Sequence, residues 1–195
     1  MAVITITNSG SAFRDNTVIG GSYAWDNVTA ASLNDTVYAS ASMPAATQGA
    51  THYLYAQNFG FAIPTNATIN GISASVNRYA LYSAAARYVW DYNVSLIKGT
   101  ATTGSNKAYN VLKWPSSASM QIYGGSSDLW NAAWSPSDIN SASFGLAISA
   151  CITQSTGTGF AYIDWISLGV TYTEAAAVGP SQAVRTYYIF RQGRA

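Results

Sequence analysis

Two stretches decide the fold: Phe144-Gly145-Leu146-Ala147-Ile148-Ser149-Ala150-Cys151-Ile152 and Ala161-Tyr162-Ile163-Asp164-Trp165-Ile166-Ser167-Leu168-Gly169-Val170-Thr171-Tyr172. Both are rich in β-branched and aromatic side chains, and neither carries the 3.6-residue period of an amphipathic helix. Gly157 and Gly159 lie in the connection, so the two runs are predicted to form an antiparallel pair.

The same signal repeats outward from there. Val3-Ile4-Thr5-Ile6-Thr7, Thr36-Val37-Tyr38-Ala39 and His52-Tyr53-Leu54-Tyr55-Ala56 read as short strands. Asn58 to Ile63 reads as another, with Phe59 and Phe61 two apart and hence on one face. Pro64 to Ala67 is a turn, because proline fixes φ at its corner. Ile69 to Tyr79 alternates small polar with apolar residues, and Tyr88 to Lys98 is its expected partner, with Leu81 to Ala86 as the loop between them. Thr100 to Asn110 reads as a loop, and Met120-Gln121-Ile122-Tyr123 as a strand stopped by Gly124-Gly125. A single helical turn is predicted over Trp134 to Asn140: Ser135 caps it, Pro136 takes the first helical position and Asp138 sits at the positive end. Many strands, turn residues between them and almost no helix predict an all-β antiparallel sandwich of jelly-roll type.

Composition restricts the function classes. Charged residues make up 9% of the 195-residue chain, against roughly 25% in an ordinary soluble domain. One histidine, His52, one cysteine, Cys151, and eight carboxylates are spread along it. Catalysis needs titratable groups gathered in one place, so no enzyme activity, cofactor or metal is expected. His52 sits in an alternating strand with no nucleophile motif near it, and Cys151 falls in an apolar run, as a buried inert thiol would. A net charge of +1 gives no general attraction to nucleic acid or an anionic membrane. No apolar run approaches the roughly 20 residues that span a bilayer, and Met1 to Asn8 has no basic segment followed by an apolar one. The expectation is synthesis in a host cytoplasm without a signal peptide. The sequons at Asn27, Asn34, Asn66 and Asn93 then read as products of an Asn/Thr/Ser-rich composition. A surface with so little charge repels its neighbours weakly, which suits a protein whose faces are covered by other subunits.

After Tyr172 the composition changes. Thr173 to Ser181 reads as a linker, and Val184 to Arg194 as a β-prone basic segment holding three of the nine Lys and Arg residues. The domain expectation is therefore a sandwich over 1–173 and a linker with a C-terminal arm over 174–195. The arm is expected either to finish the same sandwich or to add as a strand to a neighbouring subunit. In the second case Arg185, Tyr187, Tyr188, Ile189, Phe190, Arg191 and Arg194 form the subunit interface. Aromatic rings among arginines also suit nucleic acid, but three arginines are too few for tight binding, and Arg with Tyr is equally typical of protein contacts.

A set of phrases in order carries a resemblance. These are Phe59-Gly60-Phe61-Ala62-Ile63-Pro64 with Ala67 to Ile72, then Val94 to Gly99, Tyr123 to Trp130 with Trp134 to Asn140, Phe144 to Ile148, and Ala161 to Ile166 leading to Thr173. Over roughly residues 20 to 173 the chain resembles the jelly-roll domains of tailed-bacteriophage virion proteins. The resemblance implies an eight-stranded sandwich used for decoration, adhesion or oligomer contacts, with no shared catalytic set. The resulting expectation is a virion structural protein, a capsid decoration or cement protein whose partners are the major capsid protein and copies of itself. The alternative is a tail-fibre or spike module binding host cell-surface glycans through Trp25, Asp26, Tyr123, Asp128, Trp130 and Trp134, since sugar C–H faces stack on rings and hydroxyls need planar polar partners. Against that stands the tendency of tryptophan to pack in cores.

Overall fold

The computed structural model describes residues 1–17, 21–44, 49–82, 88–152 and 157–174. The arm of residues 184–194, with its seven proposed interface side chains, lies outside the described residues.

Eleven described strands form two antiparallel sheets packed face to face. In the first sheet β11 (Gly159–Thr173) is the spine. β6 (Thr68–Tyr82) lies along one side of it, and β9 (Ser119–Gly124) follows β6 at the edge. On the other side of β11 lie β3 (Ala39–Met43) and then β1 (Val3–Ser9). The second sheet has the order β2 (Ala12–Asn16), β5 (Tyr53–Gln57), β10 (Gly145–Ile152), β7 (Val89–Lys98) and β8 (Ala101–Thr103), with β4 (Gly49–Ala50) also on β10. Among the described strands, successive ones change sheet except at β4 to β5 and β7 to β8. That crossing pattern, with β1-β11-β6-β9 facing β5-β10-β7-β8, is a jelly roll.

Two predicted pairings are corrected by this topology. β10 and β11 do not pair with each other: β10 takes β5 and β7 as neighbours, and β11 takes β1, β3 and β6. They face one another across the core instead. β6 and β7 are likewise split between sheets, so Tyr88 to Lys98 is not the ladder partner of Ile69 to Tyr79. Alternation reports that one face of a strand is buried, and it carries no information about which strand lies alongside.

Asn58 to Ile63 is not a strand. Phe59, Phe61 and Ile63 are buried at alternate positions as expected, but the backbone is held by side chains. Asn8 Nδ2 donates to the Phe59 carbonyl at 2.9 Å; Asn140 accepts from the Ile63 N–H and donates to its carbonyl, both at 2.8 Å. The fourth shift is small: the predicted strand at Thr36 to Ala39 starts at Ala39, because Thr36 has φ of 68°. The helical turn forms as predicted over Pro136–Ile139, with Ser135 as N-cap in a reciprocal capping box with Asp138.

The core between the sheets is apolar, including Leu54, Ile72, Val76, Leu96, Phe144, Ile148, Ile163 and Leu168. One polar cluster crosses it. Arg78 of β6 and Asp91 of β7 both point inward, 1% and 0% exposed, with Nη2 and Oδ1 3.6 Å apart. Asp91 Oδ1 accepts from Trp114 Nε1 at 2.8 Å, while Oδ2 accepts from Tyr123 OH and from the Tyr109 N–H, each at 3.0 Å. The Arg78 guanidinium lies 4.7 Å over the Trp114 ring. Buried charges need pairing and hydrogen bonds. Asp91 has three such bonds with the Arg78 cation beside it, whereas Arg78 Nε and Nη1 are buried without a hydrogen-bond partner among the described residues. The cluster ties β6 and β9 of one sheet to β7 of the other.

Candidate functional site: the outer face of the first sheet

The six residues proposed for sugar contact are divided between opposite ends of the sandwich, and three of their four rings are closed off. Trp25 is 4% exposed, donating Nε1 to the His52 carbonyl at 2.9 Å and its own N–H to Asp15 at 3.0 Å. Tyr123 belongs to the Asp91 cluster, and burial first, then the Asp91 charge, pushes its phenol well above the ordinary tyrosine range. Trp130 is 0% exposed and donates Nε1 to the Ile72 carbonyl at 2.8 Å. Its indole packs on Gly124, which has φ of 68° and no side chain to obstruct the approach. A sugar ring cannot stack on rings already enclosed by protein, so these three are core residues.

Trp134 is half-buried, edge-on to Phe144 at 5.4 Å with Lys98 Nζ 5.6 Å from its ring. Asp128 is spent locally: it accepts from Lys107 Nζ and from the Trp130 N–H, both at 2.7 Å. The hydrogen bond from Lys107 is the main reason its carboxyl sits below the ordinary range. Asp26 is exposed, and its backbone pairs with Ser40 at the margin of β3.

His52 Nδ1 lies 2.7 Å from Asp15 Oδ2. Cys151 is buried in β10, and burial pushes its thiol up to about 12. Among the described residues no three His, Cys, Asp or Glu side chains are gathered to hold a metal ion, and no helix is long and apolar enough to cross a membrane.

The side chains left open lie elsewhere. On the outer face of the first sheet Tyr162 of β11 is opposite Tyr79 of β6, and their rings stack at 4.6 Å with 9° between planes. Tyr38 meets both edge-on, at 5.0 and 6.0 Å, and Phe160 follows Tyr162 at 6.4 Å. All four rings are half-buried. Such pairs contribute about 0.5–1.5 kcal/mol each beyond the area they bury.

A β-bulge places Tyr38. Asp164 is the extra residue between Ile163 and Trp165, and its 1%-exposed carboxylate turns to the preceding loop. Its Oδ1 accepts from the Asp35 and Thr36 N–H groups at 3.3 and 3.0 Å, and Oδ2 accepts from Asn77 Nδ2 at 3.1 Å. The turn so held, with Thr36 in the left-handed region, delivers Tyr38 onto the other two rings.

From this tyrosine cluster the face runs on to exposed aliphatic residues. Leu81 is opposite Phe160 and 45% exposed. Met120, opposite Asn77, is 42% exposed and Ile122, opposite Ser75, is 55% exposed. The remaining outward positions are Val3, Thr5, Thr7 and Ser9 of β1, Ser40 and Ser42 of β3, Ser73 of β6, and Trp165, Ser167, Gly169 and Thr171 of β11. None of these is charged; the one carboxylate of β11 on this side, Asp164 in the bulge, is 1% exposed and taken up by Asn77 and the Asp35–Thr36 turn. Tyr, Phe and Met without an exposed carboxylate or lysine among the strand residues is the composition of the centre of a protein contact rather than of a solvated surface.

Sequence reasoning passed over this cluster. Tyr79 and Tyr162 stand 83 positions apart and become neighbours only through the pairing of β6 with β11. The alternation of Phe160 and Tyr162 was a signal in the sequence, two large aromatic residues on one face, whereas strict alternation puts Asp164 next and only the bulge brings Trp165 to that side.

The fold defines the class, a jelly-roll β-sandwich. No family model matches the chain, and no curated protein matches it. Among solved structures it is similar to one described as "CBM4 structure and function", at 12% identity and a TM-score of 0.37 over 84% of this chain and 92% of that one. It is also similar to infectious bursal disease virus structures of the Gt strain (12% identity, TM-score 0.35, 87% of this chain) and the Gx strain (12%, 0.28, 91%). It spans 32% and 37% of those two viral chains.

Proposed function

We propose that this protein is a structural component of a bacteriophage virion, a decoration or cement protein that acts by covering and bridging shell subunits. The observation that carries the reading is the outer face of the first sheet: four half-buried aromatic rings continuous with exposed Leu81, Met120 and Ile122, the one charged strand side chain on that side, Asp164, being buried in hydrogen bonds beneath the Tyr38 turn. A face of that composition is stabilised by being covered, and low charge over the whole chain weakens the repulsion that would keep copies apart. The arm at residues 184–194 supplies a second contact in this reading, its arginines pairing with carboxylates and its rings filling pockets.

The glycan-binding alternative has no equivalent support, because Trp25, Tyr123 and Trp130 are buried. Immuno-electron microscopy of purified phage particles with an antibody to the chain tests the proposal. Labelling of heads is the expected result; labelling of tail fibres alone, or particles without the protein, overturns it.

A further inference from the structure

We infer that the open edge of β9 is the seat of a second copy of this chain, paired antiparallel about a two-fold axis centred on Gln121. The inference rests on the proposed role of the outer face as a contact surface, and it names what meets its edge.

The polarity of the edge follows from two hydrogen bonds. The Gly125 N–H donates to the Ile72 carbonyl of β6 at 3.1 Å. Backbone groups of alternate residues point to opposite sides of an antiparallel strand, so Tyr123 and Gln121 face β6, while Met120 and Ile122 face away. Gln121 Nε2 confirms this, since it donates to the Ile122 carbonyl at 3.0 Å, an acceptor the β6 ladder would otherwise hold. Among the described residues no strand continues the sheet past β9.

Proteins that keep a sheet edge in water protect it with lysine, proline, a bulge or a very short strand. The second sheet does so: β2 carries Arg14 and Asp15, and β8 has three residues. β9 reads Ser-Met-Gln-Ile-Tyr-Gly over six residues, with no charge and no proline. β1, on the opposite edge of the first sheet, turns Val3, Thr5, Thr7 and Ser9 outward, one aliphatic side chain to three polar ones, and Thr5 already shares a 2.8 Å hydrogen bond with Thr171. β9 turns two large apolar side chains outward, Met120 and Ile122, with no polar strand residue between them on that face, so its burial removes a continuous apolar pair from water.

Register selects the occupant. Gly124 in the left-handed region closes the strand, leaving residues 119–123 with Gln121 at their midpoint. A two-fold axis there sets Met120 of one copy against Ile122 of the other, twice; the Ile122 carbonyl, which accepts from Gln121 Nε2, exchanges that side-chain donor for a backbone N–H of the second copy. The outward residues of β6 and β9 that come side by side carry no charge. Both copies turn the same side outward, so the two tyrosine clusters form one broad face on an unbroken sheet.

Sedimentation velocity of the full chain, over about 1 to 100 µM, where contacts below standard interface size dissociate measurably, should show a monomer–dimer equilibrium. Ile122→Lys should weaken it at least about tenfold, while Thr5→Lys on β1 leaves it unchanged. Both sites are exposed, so thermal unfolding should match the parent in each case. In the inferred register the two Gln121 residues form a non-hydrogen-bonded pair, about 4.5 Å apart at Cα, which suits a disulfide. Gln121→Cys should therefore give a covalent dimer under mild oxidation, with buried Cys151 taking no part. A chain that stays monomeric at the highest concentration, and whose Gln121→Cys variant does not cross-link, overturns the inference. So does a dimer broken by Thr5→Lys and indifferent to Ile122→Lys. A monomer that still labels phage heads overturns the dimer alone, whereas particles without the protein overturn the proposed function.

Discussion

The two sheets are built from the same kinds of residue and treat their outer faces in opposite ways. The second sheet covers most of its own: Tyr53, Tyr55, Ile97 and Ala147 form a separate cluster, all at 4% exposure or less, with the Arg14 guanidinium 4.9 Å over the Tyr55 ring, while Tyr92 of β7 stands open beside them. The first sheet leaves Tyr38, Tyr79, Phe160 and Tyr162 half-open beside exposed Leu81, Met120 and Ile122. Aromatic content therefore says little about exposure or contact. The difference arises from what each strand neighbour provides: a long cation folds over Tyr55, whereas the residues opposite Tyr162 are Ser40 and another tyrosine.

The largest expected effect lies where the two sheets are joined. Asp91→Ala leaves the Arg78 cation buried and strips an acceptor from Trp114, Tyr123 and the Tyr109 backbone, and should cost about 3–5 kcal/mol in denaturant unfolding. A loss under about 1 kcal/mol would mean that apolar packing alone holds the sheets in register.

Next come matched truncations on the outer faces. Tyr55→Ala should destabilise by about 3 kcal/mol and Tyr162→Ala by about 1 kcal/mol, since only the first empties a covered site. Equal losses would break the comparison, because the first sheet's rings would then be as integral as the second's.

A smaller effect concerns alkali. Burial raises the phenols of Tyr53 and Tyr55 above 10, with neighbouring phenols adding to it at Tyr53 and Arg14 opposing it at Tyr55. The native state holds these protons longer than the unfolded chain, so their contribution is fully present below pH 10 and is lost as pH rises from there through the raised values. Melting temperature should fall above pH 10, and Tyr53→Phe with Tyr55→Phe should flatten that fall. An unchanged slope would argue that the second sheet's rings are open to solvent.

The smallest effect is in acid. At Asp138 burial works to raise the pKa, and it is outweighed by hydrogen bonds from Lys98 and Ser135, leaving the carboxyl low; Asp128 is lowered chiefly by Lys107. Their contribution is present above the ordinary value of 3.8 and is lost as pH falls through the depressed values. These pairs are partly exposed, so melting temperatures from pH 5 to 2.5 should decline only slightly more in the parent than in Lys98→Met or Lys107→Met.

Particular residues show how far the sequence could be read. Ser135, Pro136 and Asp138 announced their turn because a helix cap is settled within four residues. Phe59, Phe61 and Ile63 announced their buried face, yet not that Asn8 and Asn140, far away in sequence, would take the hydrogen bonds of a strand partner. Trp130 and Tyr123 were legible as large rings beside Asp128, with core packing and sugar contact both open, because burial depends on the opposite sheet. Arg78, in a run of small polar and apolar residues, gave no sign that Asp91 would meet it across the core.

The sequence by itself determined the all-β class, most strand positions and the capped turn, since period-two patterning, proline and capping residues act over a few neighbours. Only the tertiary structure decided which sheet each strand joined, which rings stayed open and which edge was left unpaired. Those outcomes depend on pairings such as Val3 with Thr173 and Tyr79 with Tyr162, made between segments whose local patterns are interchangeable and whose partners are chosen by the packing of the whole sandwich.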